Sequence, residues 1–338
     1  RIAIDISQIV YGTGVSTYTE NLVKNLLKID RENEYLLFAG TLRRKQDILR
    51  IFPQTKVFPI PPTLTDIVWN RLHIFPIEKL IGNVDVLHTS DWAEPPAKAF
   101  KVTTIHDLIP LKFPRMIHPK IVSVHKHRLT IVKKESDRII VPSNSTKEDL
   151  ISYGVDESKI RVIYEAPEEN VITKVDEKKV TEVKKKYNIR TDYLIAFGSA
   201  PYKNTQNIIR AFELSSAGKN LKLVIVGKQS LGKIKQDRNV RLTGYVNNSE
   251  LSALFTGAKG LVFASLYEGF GQPILEAFAS GIPVVTSNIS SMPEIAGDAA
   301  CLVDPNDPSS ISGGIESILR GPKGFIDKGL TRVKDFSW

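Results

Sequence analysis

The stretch SLYEGFGQPILEAFASGIPVV, residues 265–285, carries two glutamates eight positions apart, Glu268 and Glu276, around a Gly-Phe-Gly. GLVFAS at its start reads as a strand and PVVTS at its end as the next one. Between them PILEAFAS reads as a helix, with Pro273 near its first position and Gly281 just past its end. Strand, loop, helix and strand in this order make a unit of parallel sheet with helices packed on its faces. Glu268 then falls in a strand-to-helix loop and Glu276 about one turn into the helix. Gly269 and Gly271 let the backbone come close to a ligand, and the N–H groups at the helix start favour an anion such as a diphosphate. Two carboxylates cannot share that anion, because like charges repel. They fit better as acceptors for hydroxyls, one on a sugar ring and one on a ribose, which is the chemistry of a nucleotide sugar. The bland reading is a tight glycine turn with two solvated glutamates. A glycosidase pair would need two acids flanking one bond at roughly 5–9.5 Å, and one loop acid plus one helix acid from a single segment are poorly disposed for that.

The same alternation extends outward in both directions. RIAIDI, EYLLFAG, TKVFPI, DVLHTS, KVTTIHD, RIIVPS and RVIYEA are strand candidates in the first half. STYTENLVKNLLKI reads as an amphipathic helix with Tyr18, Leu22, Leu26 and Ile29 at helical spacing. After Ala166-Pro167 the pattern loosens, and residues 168–188 read as a charged linker running into a surface helix. A second series follows, with DYLIAFG, LKLVIVG, VRLTGYV, GLVFAS, PVVTS and ACLVDP. The expected fold is α/β: two Rossmann-like, doubly wound domains, residues 1–166 and 167–338, facing across a cleft. Open sheets of this kind bind ligands at the carboxyl ends of their strands.

Several residues at such ends are candidates. Gly198 closes DYLIAFG, and Lys203 follows in a short loop where an ammonium can neutralise a diphosphate as it leaves; a plain surface lysine is the alternative. Gly12 and Gly14 lie between the first strand and its helix. They fail as a dinucleotide fingerprint, because Thr17 stands at the third glycine position and no acid ends EYLLFAG. His106-Asp107 ends KVTTI, where the ordinary reading is a core histidine satisfied by its neighbours. Gly244, Tyr245 and Val246 end another strand. His118, His125 and His127 have neither Cys partners nor an acidic cluster, so no zinc site is expected. With Lys120, Lys126, Arg128, Lys133 and Lys134 their segment reads either as a basic helix resting on anionic lipid or as a solvated basic face.

Bulk properties limit the classes open to the chain. At 338 residues it favours two domains, and 42% hydrophobic residues suffice for large cores. Cys301 stands alone, which excludes an internal disulfide framework; it is expected in the core and suits a reducing compartment. No apolar run approaches ~18 residues, so no transmembrane helix is expected, and no secretory leader is read. The net charge of +9 is spread almost evenly over the two halves. It could attract nucleic acid, an anionic membrane or a phosphorylated substrate, although no aromatic-basic interleaving supports nucleic acid.

The segment EGFGQPILEAFASGIPVV closely resembles the Glu-x7-Glu signature of family-4 retaining glycosyltransferases, which have the GT-B fold. The resemblance extends through IHDLIP at 105–110, VPSNSTKEDL at 141–150, PYKN at 201–204, LTGYVNNSEL at 242–251 and SSMPEIAGDAACLVDP at 290–305. The IHDLIP and VPSNSTKEDL forms look most like mannosyltransferases of bacterial and archaeal surface-polysaccharide assembly. The resemblance implies a retaining transfer of a hexose, with mannose preferred, from GDP-mannose or another nucleotide sugar to a saccharide or lipid-linked saccharide. It implies no cofactor and no metal. By position, Glu268 would meet the hydroxyls of the transferred sugar, Phe270 and Gly271 would offer N–H groups to sugar or phosphate, and Glu276 would hold the ribose. Gly244, Tyr245 and Val246 would read the base through their backbone. Gly12 and Gly14 would let backbone approach donor phosphates or acceptor, and His106, beside Asp107, would lie next to the reacting sugar. Members commonly carry an arginine in the lysine loop, where this chain has Tyr202 and Ser199. They also usually continue from a place like FSW into a helix that crosses back to the N-domain. The expected setting is cytoplasmic, with peripheral contact at the inner membrane face. A silent sugar-binding homologue and a GT-B epimerase are the rival readings; a phosphorylase lacks a pyridoxal-phosphate lysine context.

Overall fold

A computed structural model describes residues 1–168, 175–198, 200–227 and 239–338. The chain divides into two compact units, Arg1–Tyr164 with Trp338, and Glu165–Ser337. The break falls two residues ahead of the expected Ala166-Pro167, and Trp338 groups with the first unit, its ring edge-on to Tyr18 at 5.9 Å.

In the first unit the described strands are β1 (Ile2–Asp5), β2 (Tyr35–Gly40), β3 (Lys56–Phe58), β4 (Val86–Ser90), β5 (Phe100–Thr104), β6 (Arg138–Val141) and β7 (Ile160–Val162). They pair in the order β3-β2-β1-β4-β5-β6-β7, every pair parallel. Alternation along each strand sends its side chains to two separate cores. Ala3, Leu36 and Phe38 pack with Trp69, Ile77 and Leu87. Ile4, Leu37 and Ala39 pack on the other face with Val23, Ile48 and Phe52. A sheet apolar on both sides needs a helix layer on each, which parallel crossovers supply.

The second unit holds β8 (Tyr193–Phe197), β9 (Lys222–Val226), β10 (Val240–Gly244), β11 (Leu261–Phe263), β12 (Val284–Ser287) and β13 (Cys301–Val303). Their order is β10-β9-β8-β11-β12-β13, again all parallel. Leu194, Ala196, Leu223, Ile225 and Val285 form its main core with Phe212 and Ile315. In both sheets the chain winds outward one way and then returns to wind the other. The loops after β1 and β4, and those after β8 and β11, therefore meet at a topological switch point, the usual ligand crevice of such sheets.

Three expectations about single residues are corrected. Helix Gly14–Ile29 buries Ser16, Tyr18, Thr19 and Val23, whereas Ile29, expected on the apolar stripe, is 69% exposed at the last turn. Cys301 is half-buried and packs only partly against the core. Helix Pro119–Glu135 is not one continuous basic face, because Arg128 is buried at 3% exposure.

Arg128 belongs to a charged cluster inside the first unit. Its Nη2 donates to Thr103 Oγ1 (2.5 Å) and to the Thr104 carbonyl (3.2 Å), and its Nε lies 3.6 Å from Glu94 Oε2. Glu94, fully buried, accepts from Thr89 and Thr103 (2.9 and 3.1 Å) and faces Lys101 Nζ at 3.8 Å. Lys101 also bonds Glu135, which His73 reaches at 2.8 Å. Glu94→Gln keeps the volume and an acceptor but removes a charge facing two buried cations. It is expected to lower unfolding free energy by about 2–3 kcal/mol, read by denaturant titration. An unchanged midpoint would show that the cluster is neutral to stability.

Candidate functional site

The switch point of the second unit brings together the loops that follow β8 and β11. After β8 a short turn, Pro201–Lys203, leads to Asn204, which adopts a left-handed conformation (φ 59°) before helix Thr205–Leu214. Its side-chain amide donates to the carbonyls of Ala264 and Pro305 (2.9 and 2.6 Å), tying three loops to one point. The turn thereby aims Lys203 at the loop after β11. Lys203 Nζ bonds both carboxylate oxygens of Glu268 (2.7 and 2.9 Å) and lies over the ring of Phe263 at 5.1 Å. Both side chains are largely buried. The two residues, 65 positions apart, form a single ion pair.

Glu268 is held from behind by the segment at 290–291. Ser290 donates to the Glu268 carbonyl (2.7 Å), and Ser291 donates to the carbonyls of Glu268 and Phe270 (3.0 and 2.7 Å). Gly271 caps the start of helix Gln272–Ala279 in the backbone sense alone, at φ 112°, a value side-chain-bearing residues rarely adopt. Phe270 is buried, its ring edge-on to Phe336 at 6.0 Å.

Glu276 lies one turn into that helix and is 6% exposed. Among the described residues nothing hydrogen-bonds its carboxylate. Burial pushes its pKa up to about 8, and the negative charge of Glu168 adds to the rise. A buried acid without a partner is costly to ionise, so it is suited to a ligand that brings hydroxyl donors.

The remaining donor-side candidates have distinct local reasons. A Cβ on Gly198 would come within 2.6 Å of Thr205 Oγ1 and 2.8 Å of Ile225 Cγ2, so packing alone demands glycine there. Gly244 has φ 71° and open space around it, and Tyr245 beside it is 67% exposed while Val246 is buried. Gly269 sits in the loop between Glu268 and Phe270. Tyr202 offers its carbonyl to the Leu266 N–H (2.8 Å); Ser199 lies outside the described residues, as do 169–174 of the expected linker.

In the first unit, Gly12 (φ 69°) and Gly14 open helix Gly14–Ile29, with open space at both glycines. His106 lies two residues beyond the end of β5. Its Nε2 is 3.0 Å from Ser90 Oγ, and its ring stands edge-on to Tyr18 at 4.6 Å. Asp107 accepts from the Ile109 N–H (2.8 Å). Beneath these, His88 Nε2 bonds Thr104 Oγ1 (2.9 Å), and burial with the charges of His106 and Arg128 lowers its pKa to about 4, keeping it neutral. Asp5 is pushed up to about 6, burial outweighing its two hydrogen bonds from Ser7. An aromatic-lined cavity beside Asp5, Tyr11 and Trp92 encloses about 20 Å³, room for one water. Among the described residues no three His, Cys, Asp or Glu side chains group to hold a metal ion, and no helix is long and apolar enough to cross a membrane.

The sequence assigns no role to Asn204, Ser290, Ser291, Asp5 or Glu94, and places Arg128 on a basic helix face rather than in the core. PYKN and SSMPE were visible as motifs, but their contacts depend on strand adjacency that chain order does not display.

Comparison with known proteins agrees with this geometry. The sequence model of Glycosyltransferase Family 4 matches residues 12–166, and that of Glycosyl transferases group 1 matches residues 179–328. O-antigen chain mannosyltransferase B of Escherichia coli is 35% identical over 152 residues, 41% of this chain and 40% of that protein. O-antigen chain mannosyltransferase RfbU of Salmonella typhimurium is 29% identical over 229 residues, 65% of this chain and 61% of that protein. The chain thus spans less than two thirds of the length of either relative. Among solved structures, Anabaena HepE in complex with UDP and glucose superposes with a TM-score of 0.71 at 14% identity, covering 98% of this chain and 95% of that one. The two family matches together take in most of the sequence, and each falls on one α/β unit: the chain belongs to the group 1 and family 4 glycosyltransferases and has their GT-B fold.

Proposed function

We propose that the chain transfers a hexose, mannose first among candidates, from a nucleoside-diphosphate sugar to a saccharide acceptor with retention of anomeric configuration. The observation that carries the reading is the site after β8 and β11: a buried Lys203–Glu268 pair beside a helix start, with an unpartnered buried Glu276 one turn in. Lys203 and the helix start suit the diphosphate, Glu268 the hydroxyls of the transferred sugar, and Glu276 the ribose. In the reaction the acceptor oxygen forms a bond to the anomeric carbon on the face from which the sugar–phosphate bond breaks. The electron pair leaves with the diphosphate, whose oxygen takes the acceptor's proton. Catalysis is then positioning plus stabilisation of charge on the leaving group. Mannose rests on the names of the relatives, and GDP as its carrier on the resemblance of the IHDLIP and VPSNSTKEDL segments alone. A lipid-linked acceptor and independence of metal belong to the same proposal.

Calorimetric titration with GDP, UDP, ADP and GDP-mannose in EDTA tests it. One nucleotide is expected to bind, and Glu276→Ala to weaken it by about tenfold or more, the order of a lost hydrogen-bonded charge. Binding of none would overturn the donor reading. Binding only after a divalent ion is restored would overturn metal independence.

A further inference from the structure

At the switch point of the first unit a carboxylate is buried that the donor site does not use. Asp5, the last residue of β1, is 6% exposed. Its Oδ1 accepts from the N–H and the hydroxyl of Ser7 (2.9 and 2.5 Å). Ser7 Oγ in turn accepts from the Gly40 N–H at the end of β2 (2.8 Å), so the carboxylate is clamped in one orientation. Among the described residues nothing donates to its other oxygen, Oδ2. A buried carboxylate oxygen without a donor is costly, so a ligand that brings one binds there favourably.

The cavity that Asp5 lines is walled mainly by rings, those of Phe38, Phe58, Trp69 and Trp92. Both indoles spend their N–H groups on backbone carbonyls, Trp69 on Phe75 (3.1 Å) and Trp92 on Pro62 (3.0 Å). What they offer the cavity is therefore ring carbon. Tyr11 lines it too and is 40% exposed, which puts it at the mouth. Burial first, then the charges of Asp5 and Asp91, push the pKa of the Tyr11 phenol up, so its hydroxyl lies near both acids. The enclosed space of about 20 Å³ takes one group the size of a water. A lone water would want about two to four polar partners, which walls made of rings supply poorly. A hydroxyl carried in on a ligand needs only the carboxylate, because its own carbon skeleton holds it in place.

We propose that Asp5, Tyr11 and Trp92 form a subsite for one sugar ring, with a ring hydroxyl donating to Asp5 Oδ2 and the C–H face against the aromatic side chains. The subsite rests on the reading that the hexose is passed to a saccharide, and it gives that saccharide a place in the first unit. Simpler ligands fit worse. An anion would meet Asp5 and Asp91, and a wholly apolar ligand would leave the carboxylate buried without a donor. Aromatic faces beside one fixed acceptor match a molecule that is apolar on one side and hydroxylated on the other.

Saturation-transfer NMR on the whole chain, without nucleotide, tests the subsite with the methyl glycosides of mannose, glucose, galactose, rhamnose and N-acetylglucosamine. At least one glycoside is expected to bind. Asp5→Asn keeps an acceptor for Ser7 but turns an amide donor toward the cavity, and is expected to weaken that binding at least about tenfold. Tyr11→Ala, at an exposed position, is expected to weaken it about fivefold with thermal unfolding unchanged. Calorimetry with the nucleotide that the parent binds is expected to be unaffected by either substitution. The probes carry no nucleotide, so a chain that binds glycosides and no nucleotide would overturn the donor reading and leave the subsite standing. No binding by any glycoside, or either variant binding like the parent, would overturn the subsite. So would preference for tetramethylammonium over every glycoside, lost in Asp5→Asn, since the cavity would then serve a cation.

Discussion

Replacing Lys203 with alanine is expected to lower sugar transfer by about two to three orders of magnitude, the usual loss when one preorganised donor to developing negative charge is removed. Lys203 is fixed before any ligand arrives, its Nζ against both oxygens of Glu268 and over the Phe263 ring. A cation held in a largely buried place needs no reorganisation when the diphosphate departs. The same substitution strands Glu268 without its counter-charge, so Lys203→Ala is also expected to unfold more readily. Two effects must then be separated. Adding Glu268→Gln to Lys203→Ala removes the stranded charge and is expected to recover most of the thermal midpoint without recovering the rate. A Lys203→Ala protein that turns over within a few-fold of the parent would show that the ion pair serves only structure.

Glu276→Gln is expected to change how stability depends on pH. The Glu276 carboxyl is raised in the folded protein to about 8, against an ordinary 4.5. Between those values the folded protein keeps a proton that the unfolded chain has lost, so raising the pH pulls the equilibrium toward unfolding. The stability contributed by the protonated group is fully present below pH 4.5 and disappears as pH rises through about 8. The full swing is on the order of 4–5 kcal/mol. Glu276→Gln removes this slope, so the difference between parent and variant is expected to grow across pH 5–8 in the variant's favour. Nucleotide binding should show the other side of the linkage. Ribose hydroxyls donating to the carboxylate favour its charged form and expel a proton. Titration near pH 7 in buffers of different ionisation enthalpy is expected to report release of close to one proton. Zero release, with binding intact, would place the ribose elsewhere.

The described strands were legible in the sequence because each is a short β-branched run closed by Gly, Pro or polar residues, as RIAIDI and LKLVIVG show. The Glu268-to-Glu276 loop and helix were legible for a similar reason, with Pro273 and Gly281 bracketing the helix. The Lys203–Glu268 pairing was not. It follows from β8 lying beside β11, although β9 and β10 come between them in the chain. The same applies to Asn204, whose amide reaches residues 60 and 101 positions away. Arg128 misled in the opposite direction. A guanidinium in a run of lysines looks solvent-facing, and only the buried Glu94 and Thr103 explain why it turns inward.

The two serines behind the Glu268 loop reach further than their own bonds. A trans peptide is planar, so its N–H points opposite to its C=O. By drawing the carbonyls of Glu268 and Phe270 toward themselves, Ser290 and Ser291 turn the N–H groups of Gly269 and Gly271 the other way. Two hydroxyls thus set the polarity of a surface they never touch, and a chain with alanine in place of both Ser290 and Ser291 would keep every residue of that surface while losing the bonds that orient it.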